Sequence, residues 1–521
     1  MVKMGESFID KAIQAVAPQW GLKRREARIR LKLSDSYDIN RRRYSKEYKP
    51  TNASANAIIS HSVEHLRNVS RDLIRNNPMA CGAIKKKKIS VIGRGLKLQP
   101  RIDYEYLGLT ELDADKLEQK IKRSFDYWAM SKGCDASRQS NFYELQKLVY
   151  GAVLESGEAL VLITGKKTKY EKYRTRLQII EADRLSNPNY KQNTDTLING
   201  IEYNQDGEPL YYYICDKHPG EVFYSRKVTW KRIPAVNQTT GYRNILHLFK
   251  KDRPGQGKGI PDLTPVIETL KKLGDYTQHE LEAASISALF TVFLRPETGT
   301  GGFGALAPTA AGVNDEILNY ELEPGTVVNA PAGSDIDFAN PNRPNVNFDP
   351  FFIAMVRQIG VALGLPYEIL LQHFSSSYSA SRAAMLEAWT YFYTERNWMV
   401  DNFCAPVYEA FLWESFALKD INAAGFFYDP LVRYAYLGAQ WNGDARGQID
   451  ELKEAKAAEI FLNKGIKTLD QVTREVTGHN WVENHRQSVK ENNARKDAGL
   501  VNEQTLTEQS ELLEEDKDLN D

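Results

Sequence analysis

The sequence predicts an α+β protein in which helical segments flank a block of short strands. Apolar residues recur with helical spacing over residues 61–92 and 262–285, whereas short β-branched or aromatic runs separated by Gly, Asn, Asp and Pro fill residues 159–230. Of the 521 residues, 42% are hydrophobic and 26% are charged, which is typical of a folded protein. A chain of this length predicts about three or four structural units and buries a large core without disulfides.

The charges are balanced overall but unevenly distributed along the chain. Lys and Arg together number 68, as do Asp and Glu, so no net field draws the whole protein to nucleic acid or to an anionic membrane. Residues 1–100 nevertheless carry 22 basic and 8 acidic side chains, a net charge of +14. Residues 501–521 carry eight acids and one Lys, a net charge of −7. Any electrostatic function is therefore expected to be local.

Neither cysteine spacing nor hydropathy indicates a secreted or membrane protein. The four cysteines form no Cys-x-x-Cys pair, which predicts neither a disulfide framework nor a zinc ribbon. The longest apolar run, residues 286–294, is far shorter than the roughly 20 residues that cross a bilayer, and the first residues lack a signal-peptide pattern. We therefore expect an intracellular origin. The cysteines are Cys81, Cys134, Cys215 and Cys404.

The first part of the chain predicts a basic arm, residues 1–60, followed by two helices. The first helix is predicted over residues 61–75. Asn77 and Pro78 then form the cap and first turn of a second helix that ends at Gly93. Four consecutive lysines at 85–88 lie inside this helix. We expect these lysines to lie on a solvated surface. The alternative is that they contact phosphate groups or a partner protein.

An antiparallel β unit is predicted after two further helices over residues 104–130 and 142–157. A cluster of Gly and Pro at 254–261 marks the end of this unit. The five predicted strands cover residues 159–164, 175–181, 200–203, 209–215 and 222–230.

Residues 262–285 predict a long amphipathic helix of about 24 residues and about 36 Å. A loop-rich insertion with a Gly/Ala/Thr tract at 298–313 follows, and Asp349-Pro350 then begins a helix that Gly364 ends. The polar face of the long helix carries Glu268, Lys271, Lys272, Asp275, His279 and Glu282.

A polar loop is predicted over residues 373–381, and an aromatic helix with a kink at Pro406 over 382–418. Further helices are predicted over residues 451–463 and, from capping-box spacing, after Thr468 and Asn480, ahead of the acidic tail. The polar loop contains His373, Ser375, Ser376, Ser377, Tyr378 and Ser379.

No pattern predicts a catalytic site, a cofactor or a metal centre. His61, Glu64 and His65 match the His-x-x-Glu-His spacing of inverted zinc proteases, but they begin an ordinary amphipathic helix and have no evident third ligand. The run Gly255-Gln-Gly-Lys-Gly lacks the spacing of a phosphate-binding loop. We therefore expect a protein that is not an enzyme, with a nucleic-acid enzyme of unrecognised site as one alternative.

Short motifs lie in order over about residues 40–500, and their combination is specific although each alone is weak. They are Leu66-Arg67, Arg71-Asp72-Leu73, Arg75-Asn76-Asn77-Pro78, Val91-Ile92-Gly93, Ile180-Glu181-Ala182-Asp183-Arg184, Gly200-Ile201-Glu202, His247-Leu248-Phe249, Arg253-Pro254-Gly255-Gln256, Gly259-Ile260-Pro261, residues 338–344, Gly364-Leu365-Pro366-Tyr367-Glu368, Tyr378-Ser379, Ser381-Arg382, residues 453–459, Gly465 and Thr468. Together they resemble the lambda-type portal proteins of tailed bacteriophages. The serine-rich loop and the tract at 298–313 depart from the family pattern.

The resemblance implies a portal-protein fold with a mixed α/β wing, long stem helices, a small α/β clip insertion and a helical crown. The implied units are a basic arm (1–60), wing (61–258), first stem helix (259–292), clip (293–348), second stem helix (349–364), tunnel loop (365–383), wing helix and connection (384–447), crown (448–500) and acidic tail (501–521).

The resemblance also implies a ring, usually of twelve subunits, at one vertex of the phage head. Such a ring would be assembled in the host cytoplasm with the major capsid and scaffolding proteins, without a membrane partner. It would pass double-stranded DNA without sequence preference and dock the large terminase subunit, then head-completion or tail proteins. A ring-forming connector that does not dock terminase is the alternative.

The predicted long helix suits a DNA channel. Twelve helices about 10 Å in diameter, side by side, would enclose a bore of roughly 28 Å. DNA can pass through a channel only if the wall binds its phosphates weakly. Residues 262–285 hold five acids and two lysines, so this helix is not expected to grip DNA. The residues predicted to face the channel are the polar face of this helix together with His373, Ser375, Ser376, Ser377, Tyr378, Ser379 and Arg382. The alternative is that residues 373–381 only join two helices.

Overall fold

Helices and antiparallel sheets alternate along the chain, so the mixed α and β class is confirmed. The computed structural model describes residues 52–221, 228–288, 292–296, 334–338, 347–373, 377–447 and 451–500. The helices are α1 (Ala55–Asn76), α2 (Pro78–Val91), α3 (Glu111–Met130), α4 (Phe142–Ser156), α5 (Ile267–Ala288), α6 (Phe348–Leu363), α7 (Tyr367–Leu371), α8 (Tyr378–Met399), α9 (Ala405–Ala417), α10 (Pro430–Leu437), α11 (Glu451–Asn463), α12 (Leu469–Thr477) and α13 (Trp481–Asp497).

The strands form four small antiparallel sheets. One has the order β3-β2-β8, a second is the meander β4-β5-β6-β7, and the pairs β1-β11 and β9-β10 form the others. Residues 222–227 of the last predicted strand lie outside the described residues, and the observed strand begins at Trp230. The strands are β1 (Lys97–Pro100), β2 (Glu158–Gly165), β3 (Thr175–Ile180), β4 (Leu197–Ile198), β5 (Ile201–Tyr203), β6 (Pro209–Cys215), β7 (Trp230–Pro234), β8 (Ile245–Phe249), β9 (Val292–Pro296), β10 (Ser334–Phe338) and β11 (Ala439–Asn442).

Local capping explains where several helices begin and end. The Asn77 N–H donates to Leu73 O at the end of α1, and its side chain accepts from the N–H groups of Met79 and Ala80 at the start of α2. The predicted boundary at Asn77 and Pro78 is therefore confirmed. The helix predicted from residue 104 instead begins at Glu111, because the Thr110 side chain caps it.

The core is built around aromatic side chains from the helical segments. The Phe125 ring lies 5.6 Å from Phe142 and 5.2 Å from Phe411, each in an edge-to-face arrangement. Phe142 also stacks on Phe403, with 5.5 Å between ring centroids. All four rings are 0% exposed. The aromatic helix predicted from the sequence is therefore a buried element that holds α3 and α4.

The predicted kink in the aromatic segment is displaced from Pro406. Residues Val400–Cys404 form a π-helical turn between α8 and α9. Pro406 lies in the first turn of α9, directly after this π-helical turn. The irregularity therefore precedes the proline.

The C-terminal helices α11, α12 and α13 contain no buried residue among their described positions. The capping box predicted at Thr468 is confirmed by its reciprocal bonds with Gln471. Asn480 caps α13 through Val482 N–H, but Glu483 pairs with Lys122 at 2.9 Å instead of closing a second box. This ion pair fastens α13 to α3.

Within the predicted insertion, β9 and β10 pair in antiparallel register. The tract at 298–313 lies outside the described residues. Among the helices that the structure describes, none has the length and apolar content needed to span a bilayer.

Candidate channel surface and its anchoring clusters

The polar face of α5 is exposed and its charges are partly paired along the helix. Glu268 Oε1 lies 2.6 Å from Lys272 Nζ, and Glu282 Oε2 lies 3.5 Å from His279 Nδ1. The pKa of Glu282 is lowered mainly by a hydrogen bond from Gln278 and to a smaller extent by His279. Lys271 and Asp275 are exposed on the same helix. The six residues of this face are three acids, two lysines and one histidine, so acids outnumber lysines by one.

The first turns of the apolar face of α5 are covered within the single chain. Tyr276 stacks on Phe348 with 5.6 Å between ring centroids and meets Phe351 at 4.9 Å. The length of the helix predicts an apolar face that one chain cannot fully cover, and Leu281, farther along α5, is 60% exposed. Several apolar side chains of this region are at most 3% exposed. They are Leu263 and Val266 just before α5, Ile267, Leu270 and Leu273 of α5, and Val356, Ile359 and Leu363 of α6.

The polar loop is shorter than predicted because α8 begins at Tyr378. Ser377 caps this helix by accepting the Ala380 N–H at 3.4 Å, so Ser379 and Arg382 are helical rather than loop residues. The wider loop prediction, 365–383, also contains α7. His373 and Ser379 are exposed and Arg382 is half-buried, while Ser375, Ser376 and the Tyr378 side chain lie outside the described residues.

A buried ionic cluster lies before the start of α5, around the Glu158 carboxylate, which is 0% exposed. Arg67 Nη2 donates to Glu158 Oε1 at 2.9 Å, and Lys258 Nζ lies 3.3 Å from the same oxygen. His247 Nε2 lies 2.8 Å from Glu158 Oε2. We call Arg67, Arg71, Glu158, Asp183, His247 and Lys258 the Glu158 cluster. It joins α1, β2, β8 and the segment before α5.

The cations of the Glu158 cluster keep its acids ionised. Burial alone raises the pKa of Glu158, but Lys258, His247 and Arg67 outweigh burial and hold this pKa well below its usual range. Burial likewise raises the pKa of Asp183, but Arg67 and Arg71 lower it to about 2. Arg71 Nη2 donates to Asp183 Oδ2 at 2.6 Å. The cluster is thus a mutually compensated set of buried charges.

Two glycines permit the chain to pass close to this cluster. A Cβ on Gly259 would lie 1.9 Å from the carbonyl oxygen of Gly157, far inside van der Waals contact. Gly157 itself ends α4 at a φ of +86°, a left-handed conformation that glycine adopts without strain. Glycine at position 259 is therefore required for this close packing.

A second buried cluster fixes Asp262 at the start of the α5 segment. Lys87, 1% exposed, donates from Nζ to Asp262 Oδ2 at 2.6 Å and to the Tyr391 hydroxyl at 2.9 Å. Burial lowers the pKa of Lys87, and Asp262 opposes that effect. Lys250 Nζ lies 2.7 Å from Glu395. We call Lys87, Tyr150, Lys250, Asp262, Tyr391 and Glu395 the Lys87 cluster.

The Lys87 cluster corrects the prediction that residues 85–88 form a solvated surface. Lys87 is a buried member of an ion pair across 175 residues of sequence, whereas Lys85 is exposed. Sequence reasoning also missed Glu158, although an acid directly before an apolar strand is an available signal. Together the two clusters fix the segment that precedes α5 against α1, α2 and α8.

The residues with zinc-protease spacing lie on the exposed side of α1. His61, Glu64 and His65 are exposed on α1, and His61 Nδ1 lies 2.8 Å from Ala57 O. Within the described ranges, no three His, Cys, Asp or Glu side chains converge as metal ligands.

Comparison with known proteins identifies the family. The family model described as phage portal protein, lambda family, matches residues 41–396. The portal protein of Escherichia phage N15 is 25% identical over 87% of this chain and 88% of its own length. Portal protein B of Escherichia phage lambda is 24% identical over the same shares.

Solved structures with a similar chain come from gene transfer agent particles. The neck of a native GTA particle computed with C12 symmetry is 14% identical, covers 78% of this chain and 92% of its own, and has a TM-score of 0.39. The neck of an empty GTA particle computed with C6 symmetry has the same identity and coverage and a TM-score of 0.41. The family match, which covers more than half of the chain, indicates a structural protein and no enzymatic family. The motifs that run through the Glu158 cluster, together with this match, show that the chain belongs to the lambda family of phage portal proteins.

Proposed function

We propose that the protein forms a closed ring, usually of twelve subunits, at one vertex of a phage capsid and conducts double-stranded DNA. The observation that carries this proposal is the lambda-family portal match over residues 41–396, supported by relatives in phages N15 and lambda that align over 87% of the chain. The same role includes docking of the large terminase subunit during packaging and of head-completion or tail proteins afterwards, with contacts to major capsid and scaffolding proteins.

The proposed channel wall is α5. Its exposed face carries Glu268, Asp275 and Glu282, while Lys272 is paired with Glu268. A wall with few free cations neutralises few phosphates, so a passing duplex is held weakly. Its buried face packs against α6, which would give the wall a rigid backing.

Apolar side chains that remain exposed on α5 and α6 are proposed to meet the next subunit. Val361 is 84% exposed, Leu281 60% and Phe351 47%. A closed ring would bury such side chains against an identical neighbour. The start of α5 does not belong to this surface, because the chain itself covers it.

The segment His373 to Arg382 is proposed to line the narrow part of the channel. His373 and Ser379 are exposed, which fits a surface that meets solvent or DNA. Polar side chains repeated around a ring would make many weak contacts with a moving duplex, and no single contact would stall it.

Mass photometry of the purified protein tests the ring. We expect a mass of about twelve subunits, and a stable monomer at micromolar concentration would contradict the proposal. The variant Ser376→Lys then tests the channel. If the segment faces DNA, about twelve added cations should slow packaging, and the effect should ease as salt rises. Ring assembly with unchanged packaging at low salt would place Ser376 away from DNA.

A further inference from the structure

The loop between β2 and β3 concentrates positive charge on a chain whose net charge is zero. Residues 166–174 hold five cationic side chains and one carboxylate, a net charge of +4. We call this loop the basic tip. Tyr170 at its centre is 94% exposed. The cations of the basic tip are Lys166, Lys167, Lys169, Lys172 and Arg174, all exposed.

The single carboxylate of the basic tip is used to hold the loop. Glu171 Oε2 accepts from Thr168 Oγ1 at 2.9 Å and from Arg176 Nη2 at 2.5 Å. Arg138 Nη2 lies 3.1 Å from Glu171. Burial raises the pKa of Glu171, but the hydrogen bonds from Thr168 and Arg176 outweigh it and lower this pKa. Glu171 therefore pairs with Arg138 and Arg176, which lie outside the basic tip, and not with the lysines of the tip.

Two acids from the α9 segment fasten the other side of the loop. Glu414 accepts the backbone N–H of Arg174 at 2.6 Å and that of Thr175 at 2.8 Å. Asp420 accepts from the Tyr173 hydroxyl at 2.6 Å and pairs with Lys172 at 2.5 Å. These acids order the base of the loop and neutralise one of its lysines.

Three lysines are left as unneutralised charge on an ordered loop. In the part of the chain that the structure describes, no carboxylate pairs with Lys166, Lys167 or Lys169. They flank Tyr170 in the sequence, and a tyrosine hydroxyl that is exposed also donates to phosphate. Protein interfaces favour Arg over Lys and bury apolar centres, whereas the cations of the basic tip without a carboxylate partner in the described part of the chain are three lysines and one arginine, Arg174, around an exposed tyrosine.

We infer that the basic tip is a second, non-specific binding surface for the phosphate backbone of duplex DNA, separate from the proposed channel wall. None of its residues belongs to α5 or to the segment His373–Arg382. The contact requires only the surface of one chain, so it does not rest on ring formation, although a ring would present many copies together.

The expected strength follows from counterion release. Three neutralised phosphates give a slope of about −2.7 for the logarithm of the binding constant against the logarithm of salt concentration. The contribution of the tip should therefore fall about 40-fold between 50 and 200 mM salt. This is the behaviour of a contact that holds DNA loosely and lets it slide.

The test compares two triple variants with the unmodified protein. K166Q/K167Q/K169Q removes the free lysines of the basic tip. K97Q/K116Q/K147Q removes the same charge from exposed lysines elsewhere on the described surface. The probe is covalently closed circular duplex DNA, which has no end to thread through a ring, and binding is measured by gel shift from 50 to 200 mM salt. The basic N-terminal residues are present in all three proteins and cancel in the comparison.

We expect the tip variant to bind DNA about tenfold or more weakly than the unmodified protein at 50 mM salt. Its plot of log binding constant against log salt concentration should be shallower by about 2.7. The affinity of the control variant should change less than about twofold. Equal binding by the tip variant and the unmodified protein would overturn the inference. Unchanged DNA binding with lost attachment to purified capsid shells would also overturn it, in favour of an acidic protein partner. Mass photometry of the tip variant separates these outcomes from a failure of the ring proposal.

Discussion

Replacing Glu158 with Gln removes one of the two acids of the buried Glu158 cluster and leaves Asp183 alone with three cations, Arg67, Arg71 and Lys258. Glu158 Oε1 lies 2.9 Å from Arg67 and 3.3 Å from Lys258, both less than 10% exposed. Removing one partner of a buried ion pair costs about 3–5 kcal/mol, and Gln retains some hydrogen bonding, so we expect about 3 kcal/mol. For a unit of about 200 residues this corresponds to a fall in Tm of roughly 6–12 °C.

The matched control is Glu155→Gln, three residues earlier on the chain. Glu155 is 40% exposed and its carboxylate lies 3.9 Å from Arg71, so this surface pair is worth less than about 1 kcal/mol. Thermal unfolding at pH 7, followed by calorimetry, compares the two variants. The double variant E158Q/K258M also lacks one cation of the cluster. Its Tm should therefore be higher than that of Glu158→Gln, although still below that of the unmodified protein.

A fall in Tm for Glu158→Gln no larger than that for Glu155→Gln would refute the assignment of Glu158 as the centre of a compensated cluster. Failure of E158Q/K258M to recover any stability would show that the loss comes from altered packing and not from excess positive charge.

Two further predictions concern the same region. Gly259→Ala places a Cβ 1.9 Å from Gly157 O, so we expect insoluble or strongly destabilised protein, whereas Gly82→Ala in α2, where no atom lies within 4 Å, should leave Tm unchanged or slightly higher. Solubility and Tm of the two variants test this, and a soluble Gly259→Ala protein of unchanged Tm would contradict it. Glu158 and Asp183 have folded-state pKa values below their unfolded values, so the stability they contribute is present above about pH 4 and is lost as pH falls towards about 2. Urea unfolding at pH 7, 4 and 3 should show this loss, and Glu158→Gln should show a shallower one; an equal slope would exclude Glu158 as a cause.

Local signals in the sequence determined many of the element boundaries. Asn77-Pro78, Gly364 and Thr468 act through hydrogen bonds to residues within one helical turn, so their effect is readable from a few neighbouring letters. The cap at Ser377 belongs to the same class, but the serine run around it predicts a loop. The ordered motifs also indicated the portal family, since their combination is specific where each alone is weak.

Tertiary structure alone decided which charges are buried and which are free. Lys87 and Lys85 lie in one lysine run, yet only the former meets Asp262, 175 residues away. The close approach of Gly157 and Gly259, and the covering of the α5 apolar face by α6, depend likewise on segments far apart in sequence. Periodicity and capping describe contacts within about four residues, whereas the desolvation and pairing of a charge depend on every element packed around it.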